Sequence, residues 1–151
     1  MLYRSNVTEL VLSTIATETS NPVGDSSSPD GSYGWSGTPG EIGSTYTPYT
    51  VVYPQTANAS SGPISDPLAD WKLPYSLTSY GATRAQCEWL CDIARSALLD
   101  LDRTTVTCGD ATYTIQQAKV ETIGSVIRSD ALQPPTFGQT DIVSIWLTKG
   151  V

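Results

Sequence analysis

Carboxylate pairs are the side chains in this sequence whose type and spacing come closest to catalytic chemistry. Asp66 lies four residues before Asp70, and Asp100 lies two residues before Asp102. Either pair could perform acid–base chemistry if burial raised the pKa of one member. The first pair flanks Pro67 in a predicted loop, and the second follows a predicted helix. Solvated turns are the simpler interpretation of both pairs, so we expect no catalytic residue.

Composition restricts nucleophilic catalysis and metal binding. The chain has no histidine, which excludes Ser-His-Asp and Cys-His nucleophiles and His-ligated metals. Cys87 and Cys91 can share one helix face, but a four-ligand site needs partners that Cys108 alone does not supply. The segment Asp25 to Gly31 is faintly like a calcium loop and lacks its closing Glu. We expect buried thiols, no metal and no cofactor.

The charge balance argues against tight binding to nucleic acid. Eight Lys and Arg face fifteen Asp and Glu, for a formal charge of −7, and the basic residues are scattered along the chain. Without a cluster of basic residues, the protein has no surface that would displace counterions from the phosphates of a nucleic acid. Charged residues are only 15% of the chain, against about 25% in ordinary proteins. This composition favours one domain of 151 residues that is rich in strands and loops.

The N-terminal residues MLYRSNVTEL contain no apolar stretch typical of an export signal, and no segment is long enough to cross a membrane. Three cysteines, an odd number, then suggest reduced thiols rather than disulfides. We therefore expect a protein that starts in the cytoplasm and does not enter a membrane.

Two helices are expected from apolar residues at three- and four-residue spacing. Residues 6–18 form the first, with Ser5 or Asn6 as its N-cap. The second begins at a capping box formed by Thr83 and Gln86 and extends through Leu99. Leu90, Ile93, Ala94, Ala97 and Leu98 form its predicted apolar face.

The predicted extended segments are residues 50–53, 73–80, 113–121, 126–128 and 140–148. The first lies between two prolines, which favours an edge or peripheral strand. Counted without the short segment 126–128, the order is α-β-β-α-β-β. It predicts an α+β fold in which two helices pack on one face of an antiparallel sheet.

Residues 20–47 form a long predicted loop that contains six glycines together with Tyr33, Trp35 and Tyr46. The segment is too long for a plain connector and too aromatic for a spacer. Its partner can be its own domain or a neighbour. We predict that contacts with another subunit or a neighbouring ring order the segment in the assembled particle, with Tyr33 and Trp35 as anchors.

Three blocks of sequence carry a resemblance to a known family. The first is PYTVVYP at residues 48–54, the second extends from Gly62 to Asp92, and the third is RSDALQPPTF at residues 128–137. In their order and spacing they resemble the tail terminator family of siphovirus-type bacteriophages. Residues 30–47 depart from the family pattern and extend a usually shorter loop, so no role for them is inherited.

The resemblance implies a structural virion protein, assembled in the host cytoplasm, that forms a ring, typically a hexamer, at the head-proximal end of the tail tube. The ring would stop tube polymerisation and join the tail to head-completion (stopper) proteins. DNA would pass through its channel without sequence-specific binding. The candidate interface residues are Tyr33, Trp35, Pro48, Tyr49, Pro54, Gly62, Pro63, Asp66, Pro67, Asp70, Trp71, Gln133, Pro134, Pro135 and Phe137.

Three alternatives stay open at this point. Another head–tail joining ring, such as a stopper or adaptor, and a minor tail protein belong to the same class. A small carboxylate-dependent enzyme belongs to a different class.

Overall fold

The computed structural model describes residues 2–60, 70–131 and 134–150, which form two helices and a curled, mostly antiparallel sheet. The helices are α1 (Arg4–Thr19) and α2 (Arg84–Leu99). The strands are β1 (Val23–Asp25), β2 (Gly34–Ser36), β3 (Thr45–Thr47), β4 (Tyr49–Pro54), β5 (Asn58–Ser60), β6 (Asp70–Gly81), β7 (Thr105–Cys108), β8 (Ala111–Ile123), β9 (Ile127–Ser129) and β10 (Thr136–Lys149). The predicted α+β class is confirmed.

The main sheet has the strand order β1-β4-β6-β10-β8-β7. In addition, β5 pairs with β6 and β9 pairs with β10, while β2 and β3 form a separate hairpin. β1 pairs with β4 in parallel, so the sheet is not purely antiparallel. Because β1 pairs with β4, residues 50–53 do not form an edge strand; β4 is second from the edge of the sheet, which agrees with the alternative prediction of a peripheral strand. Pro48 and Pro54 both lie outside the three positions of β4 that pair with β1. Neither proline therefore interrupts the hydrogen bonding between these two strands.

The observed element order contains more strands than the predicted α-β-β-α-β-β. Six strands precede α2 and four follow it among the described residues. The additional strands are three or four residues long. Such segments are too short to display the two-residue alternation on which strand prediction depends.

The core lies against one side of the sheet. Leu73, Tyr75 and Leu77 of β6 are fully buried, whereas the alternate side chains of the same strand are half-buried. The buried cluster takes in residues of β10 and of both helices: Val143, Ile145, Leu147, Val7, Val11, Ile15, Ala94 and Leu98. The two-residue alternation of a strand therefore separates a core side from an open side.

The two helices begin in different ways. The predicted cap of α2 is confirmed, because the Thr83 side chain accepts a hydrogen bond from the Gln86 backbone at 3.1 Å. The predicted cap of α1 is wrong, because Tyr3 occupies the N-cap position and makes no side-chain cap. Asn6 instead donates its Nδ2 to the Thr107 carbonyl at 2.8 Å. It therefore ties α1 to β7 rather than capping the helix.

Candidate interaction surface on the open side of the sheet

The open side of β6 and β10 carries hydroxyl groups and an aromatic ring. Thr78 and Thr140 lie opposite each other in the two strands, and their hydroxyls are hydrogen-bonded at 2.9 Å. Tyr80 and Gly138 form a neighbouring pair in the same register. Because Gly138 has no side chain, the ring of Tyr80 lies over it. A Cβ atom at position 138 would be 3.3 Å from two carbons of this ring.

A chain of aromatic contacts fastens the β2–β3 hairpin to this surface. Tyr33 meets Tyr49 of β4 edge-on with ring centroids 4.9 Å apart. Tyr49 in turn stacks on Tyr80 at 4.8 Å. Within the hairpin, Trp35 contacts Tyr46 at 5.4 Å. The predicted anchors Tyr33 and Trp35 therefore take part in contacts within their own chain, and residues 20–47 dock on their own domain.

Two cavities with shared lining residues form a groove across the open side. The first, of about 390 Å³, lies beneath the hairpin and is lined mainly by aromatic residues. The second, of about 360 Å³, extends to Gly124 and Ile127. Both are lined by Tyr80 and Gly138. The groove thus connects the hairpin with the turn between β8 and β9.

The groove is lined by uncharged residues. Burial raises the pKa of Tyr46, and the nearby Tyr49 hydroxyl adds to this rise. Burial likewise raises the pKa of Tyr49 and Tyr80. These phenols therefore stay protonated at neutral pH and cannot act as bases there. Nε1 of Trp35 is buried and has no hydrogen-bond partner among the described residues.

A buried ion pair supports one wall of the groove. Asp141 of β10 accepts a hydrogen bond from Nη1 of Arg95 at 2.6 Å. Its other carboxylate oxygen accepts from the Gly124 backbone at 3.0 Å and from Nε2 of Gln139 at 2.9 Å. Arg95 also pairs with the exposed Asp92. The network joins α2 to the β8–β9 turn. The sequence analysis did not predict this network. The position of Asp141 within the apolar segment 140–148 (TDIVSIWLT) could have indicated a buried, paired carboxylate.

A second group of predicted interface residues lies at the other end of β6. Asp70 and Trp71 are half-buried and line a cavity of about 300 Å³ together with Trp146. Nζ of Lys72 lies 5.1 Å from the Trp146 ring centroid and 3.3 Å from Glu121. Ten residues of strand separate Asp70 from Tyr80, or about 33 Å at the usual rise per residue. The candidate residues therefore do not form a single patch.

The remaining candidate residues fall into two sets. Pro48 is buried, whereas Pro54, Pro134, Pro135 and Phe137 are half-buried. The loop at Gly40 approaches Pro134, because a Cβ atom at position 40 would be 3.4 Å from Cδ of that proline. The candidates Gly62, Pro63, Asp66, Pro67 and Gln133 lie outside the described residues.

The cysteines and the Asp100–Asp102 pair, which could have bound a metal or performed catalysis, take part in the structure of the domain instead. Cys87, Cys91 and Cys108 are buried free thiols. Asp102 accepts a hydrogen bond from the Ala118 backbone at 2.8 Å, and Asp100 is the C-cap residue of α2. Within the described ranges, no three His, Cys, Asp or Glu residues are grouped so that they could hold a metal ion. Neither described helix is long and apolar enough to cross a membrane.

No family model and no curated protein sequence matches this chain. Among solved structures, one chain aligns with 98% of this chain and with 93% of its own length. The TM-score is 0.50 and the sequence identity is 11%. That chain's name states no function. At this identity the likeness concerns the fold alone.

Proposed function

We propose that this chain is a ring-forming assembly subunit of a bacteriophage tail, of the terminator type that caps the head-proximal end of the tail tube. The resemblance of residues 48–54, 62–92 and 128–137 to tail terminators suggests the class. The observation that carries the proposal is the open side of β6 and β10, which has an uncharged groove and a docked hairpin and, among the described residues, no cluster typical of catalysis. We also propose that both helices cover the side of the sheet that is opposite the groove.

Two separated contact regions suit a subunit that lies between two different assemblies. One region is the aromatic groove around Tyr80, and the other surrounds Asp70 and Trp71 at the far end of β6. A terminator must contact the last ring of tube subunits on one side and head-completion proteins on the other. Trp71 packs partly against the core of its own chain, and the part of this large aromatic residue that stays exposed is a suitable anchor for such contacts.

The charge of the chain is compatible with a channel for DNA. A subunit with a formal charge of −7 repels phosphates, so packaged DNA can pass without adhering. The acids that are not used in packing would then lie mainly on the channel and outer surfaces of the ring. A channel lined chiefly by Lys and Arg would contradict this part of the proposal.

Another head–tail joining ring or a minor tail protein is the alternative within the same class. A small carboxylate-dependent enzyme is the alternative outside it. The buried carboxylate of Asp141 is already bonded to Arg95, Gly124 and Gln139. Three of its about four acceptor positions are thereby occupied, and its side chain is only 2% exposed. A substrate cannot reach it as a general base requires, which disfavours the enzyme.

The decisive experiment measures mass and particle shape and then tests activity on tubes. Light scattering should give a multiple of the 16.1 kDa subunit mass, and negative-stain images should show rings with a central channel. Added to growing tubes of the cognate tail-tube protein, a terminator stops elongation and is found at one tube end. Binding along the tube wall would favour a minor tail protein. A compact monomer that leaves tube growth unchanged would remove the proposal.

A further inference from the structure

Helix α2 exposes a tryptophan beside its buried face. Trp89 is 49% exposed, and it is the largest of the exposed apolar side chains among the residues that the structure describes. Ile93 and Ala97 follow it at four-residue intervals, so the three side chains form one row along the helix. Ile93 is half-buried and Ala97 is buried. The row therefore begins at a large exposed indole and ends against the domain.

A second row of side chains, which is polar, runs beside this apolar row. It consists of Asp92, Ser96 and Asp100, which are also spaced by four residues and are all exposed. Both rows line a cavity of about 380 Å³, and Glu18 of α1 lines it too. This cavity, the α2 groove, thus combines an exposed indole with three carboxylates.

Nearby cations do not neutralise these carboxylates. Within the described part of the chain, neither Glu18 nor Asp100 takes part in an ion pair. Asp92 pairs with Arg95, but the same guanidinium also binds the buried Asp141, and the Arg95 side chain is only 14% exposed. None of the described residues that line the α2 groove is basic. The groove therefore carries an unbalanced negative charge beside an aromatic ring.

We propose that the α2 groove binds a positively charged segment of another protein, with an arginine side chain over the indole of Trp89. A cation near the face of a tryptophan is attracted by the ring, and the planar guanidinium also stacks on aromatic faces. The carboxylates around the indole complement the same positive charge. Eleven residues of helix separate Trp89 from Asp100, about 16 Å at the usual rise per residue, so a short segment is long enough to span the groove.

A second copy of the chain is a poor occupant for the α2 groove. Each copy has a formal charge of −7, and its eight basic residues are scattered along the sequence. Two copies would therefore bring like net charges together. The α2 groove belongs to a single subunit, so this binding goes beyond the proposed ring and does not require it.

Titration of the full chain with a blocked alanine peptide that carries two arginines tests this binding by nuclear magnetic resonance. The chain contains four tryptophans, and the indole N–H signal of Trp89 is assigned by its absence in Trp89→Phe. The arginine peptide should shift this signal saturably and more than the other three, because the guanidinium lies over the ring. A peptide with citrulline in place of arginine has the same shape without the charge and should shift it little. Equal shifts with both peptides, or no shift of the Trp89 signal, would overturn the proposal.

Two double variants with the same change in net charge separate local charge from total charge. Glu18→Gln with Asp100→Asn removes two acids from the α2 groove, whereas Glu41→Gln with Asp110→Asn removes two exposed acids that do not line it. All four positions are exposed, so both variants should keep the wild-type fold by circular dichroism. The groove variant should bind the arginine peptide about fivefold more weakly than the control variant. Equal affinities would show only a general attraction to an acidic protein and would contradict the assigned site.

Trp89→Ala tests the indole and distinguishes a basic partner from a second copy. The substitution should weaken binding of the arginine peptide by about fivefold while leaving the mass measured by light scattering unchanged. A fall in mass would mean that another copy covers Trp89, and unchanged affinity would mean that the indole takes no part. Either result would sink the proposal. The proposed function would survive such a failure, since ring formation and the arrest of tube growth are measured separately.

Discussion

Asp141 is a carboxylate inside an otherwise apolar strand, and three neighbours satisfy it. Its side chain is 2% exposed, and that of Arg95 is 14% exposed. A buried charge is tolerated only when it is paired and its remaining lone pairs are hydrogen-bonded. The Gly124 and Gln139 contacts supply those bonds. The pair therefore acts as a specific connection between α2, β10 and the turn beside the groove.

Arg95→Ala should lower the free energy of unfolding by about 3–5 kcal/mol, because it leaves a buried carboxylate without its cation. The control is Arg84→Ala on the same helix, since Arg84 pairs with Glu88 where both side chains are exposed. That pair should contribute about 0.3–0.5 kcal/mol. Urea unfolding of the three proteins measures the difference. Equal losses in both variants would contradict the role assigned to Asp141.

Gly124→Ala should also destabilise the protein, because the added methyl group has no room. A Cβ atom at this position would lie 2.1 Å from the Thr140 carbonyl oxygen, so the backbone must shift. The shift would disturb the hydrogen bond from Gly124 to Asp141, and we expect a loss of about 1–3 kcal/mol. Ser125→Ala is the control at an exposed neighbouring position. Thermal unfolding that is unchanged in Gly124→Ala would refute the close approach.

The sequence alone identified some of the residues at the groove, but not the residues that they contact. Tyr33, Trp35 and Tyr49 stand out because aromatic residues are unusual in glycine- and proline-rich segments. Tyr80 and Gly138 do not stand out, since their pairing depends on register between strands that are distant in sequence. Arg95 was likewise invisible as a partner of Asp141. Periodicity identifies which face of an element is apolar, but not what lies opposite it.

Helix α2 illustrates what local pattern does predict. Leu90, Ala94, Ala97 and Leu98 are buried as expected, and Ile93 is half-buried. The helix begins and ends within one residue of the predicted bounds. A cap and an apolar stripe are local signals, so they require no knowledge of the rest of the fold. The three-residue strands β1, β2 and β3 lack such signals and form only through their partners.

Leu90→Ala on α2 should cost about 2–5 kcal/mol in the free energy of unfolding, since it opens a cavity at a fully buried position. Leu99→Ala is the matched control, because the same atoms are removed at a site that is 39% exposed. The control should change stability by about 0.5 kcal/mol or less. Similar midpoints in urea for both variants would show that α2 does not bury this face.

Tyr49→Ala should release the β2–β3 hairpin without unfolding the sheet. Tyr49 joins Tyr33 to Tyr80 through ring contacts on both sides, so its removal breaks the connection. Backbone amides at residues 34–47 should then exchange with deuterium faster, while those of β6 and β10 stay protected. Tyr53→Ala is the control on the same strand, at a position that is 37% exposed. Unchanged exchange in Tyr49→Ala would contradict the aromatic attachment.

At the scale of the whole molecule, the proposed ring would have to form against the charge of its own subunits. Six copies would carry a formal charge of −42, six times the −7 of one chain. Repulsion between exposed charges extends over about 30 Å at 0.01 M salt and about 3 Å at 1 M salt. An exposed ion pair between subunits is worth only about 0–1 kcal/mol. The contacts that hold a ring together must therefore be mainly apolar and hydrogen-bonded.

Raising the salt concentration should accordingly strengthen association, because screening weakens the net repulsion more than it weakens the exposed ion pairs. Sedimentation velocity at 0.02 M and 0.5 M sodium chloride measures the fraction of assembled subunits at a fixed protein concentration. Glu41→Gln is the control: it removes one exposed charge from a chain whose formal charge is −7, so the salt dependence should change little. Dissociation at high salt would mean that ion pairs dominate the contact.

The position of β10 in the sheet determines when a newly made chain completes its groove. β10 lies between β6 and β8, and its partners in β6 precede it by 56 to 78 residues. Synthesis proceeds from the N-terminus, so both neighbouring strands leave the ribosome before the strand that joins them. Contacts so distant in sequence also form slowly. Because Gly138 and Thr140 of β10 line the groove, an incomplete chain has no groove to offer. If the groove binds another subunit of the proposed ring, growing polypeptides on neighbouring ribosomes would not bind one another before they are finished.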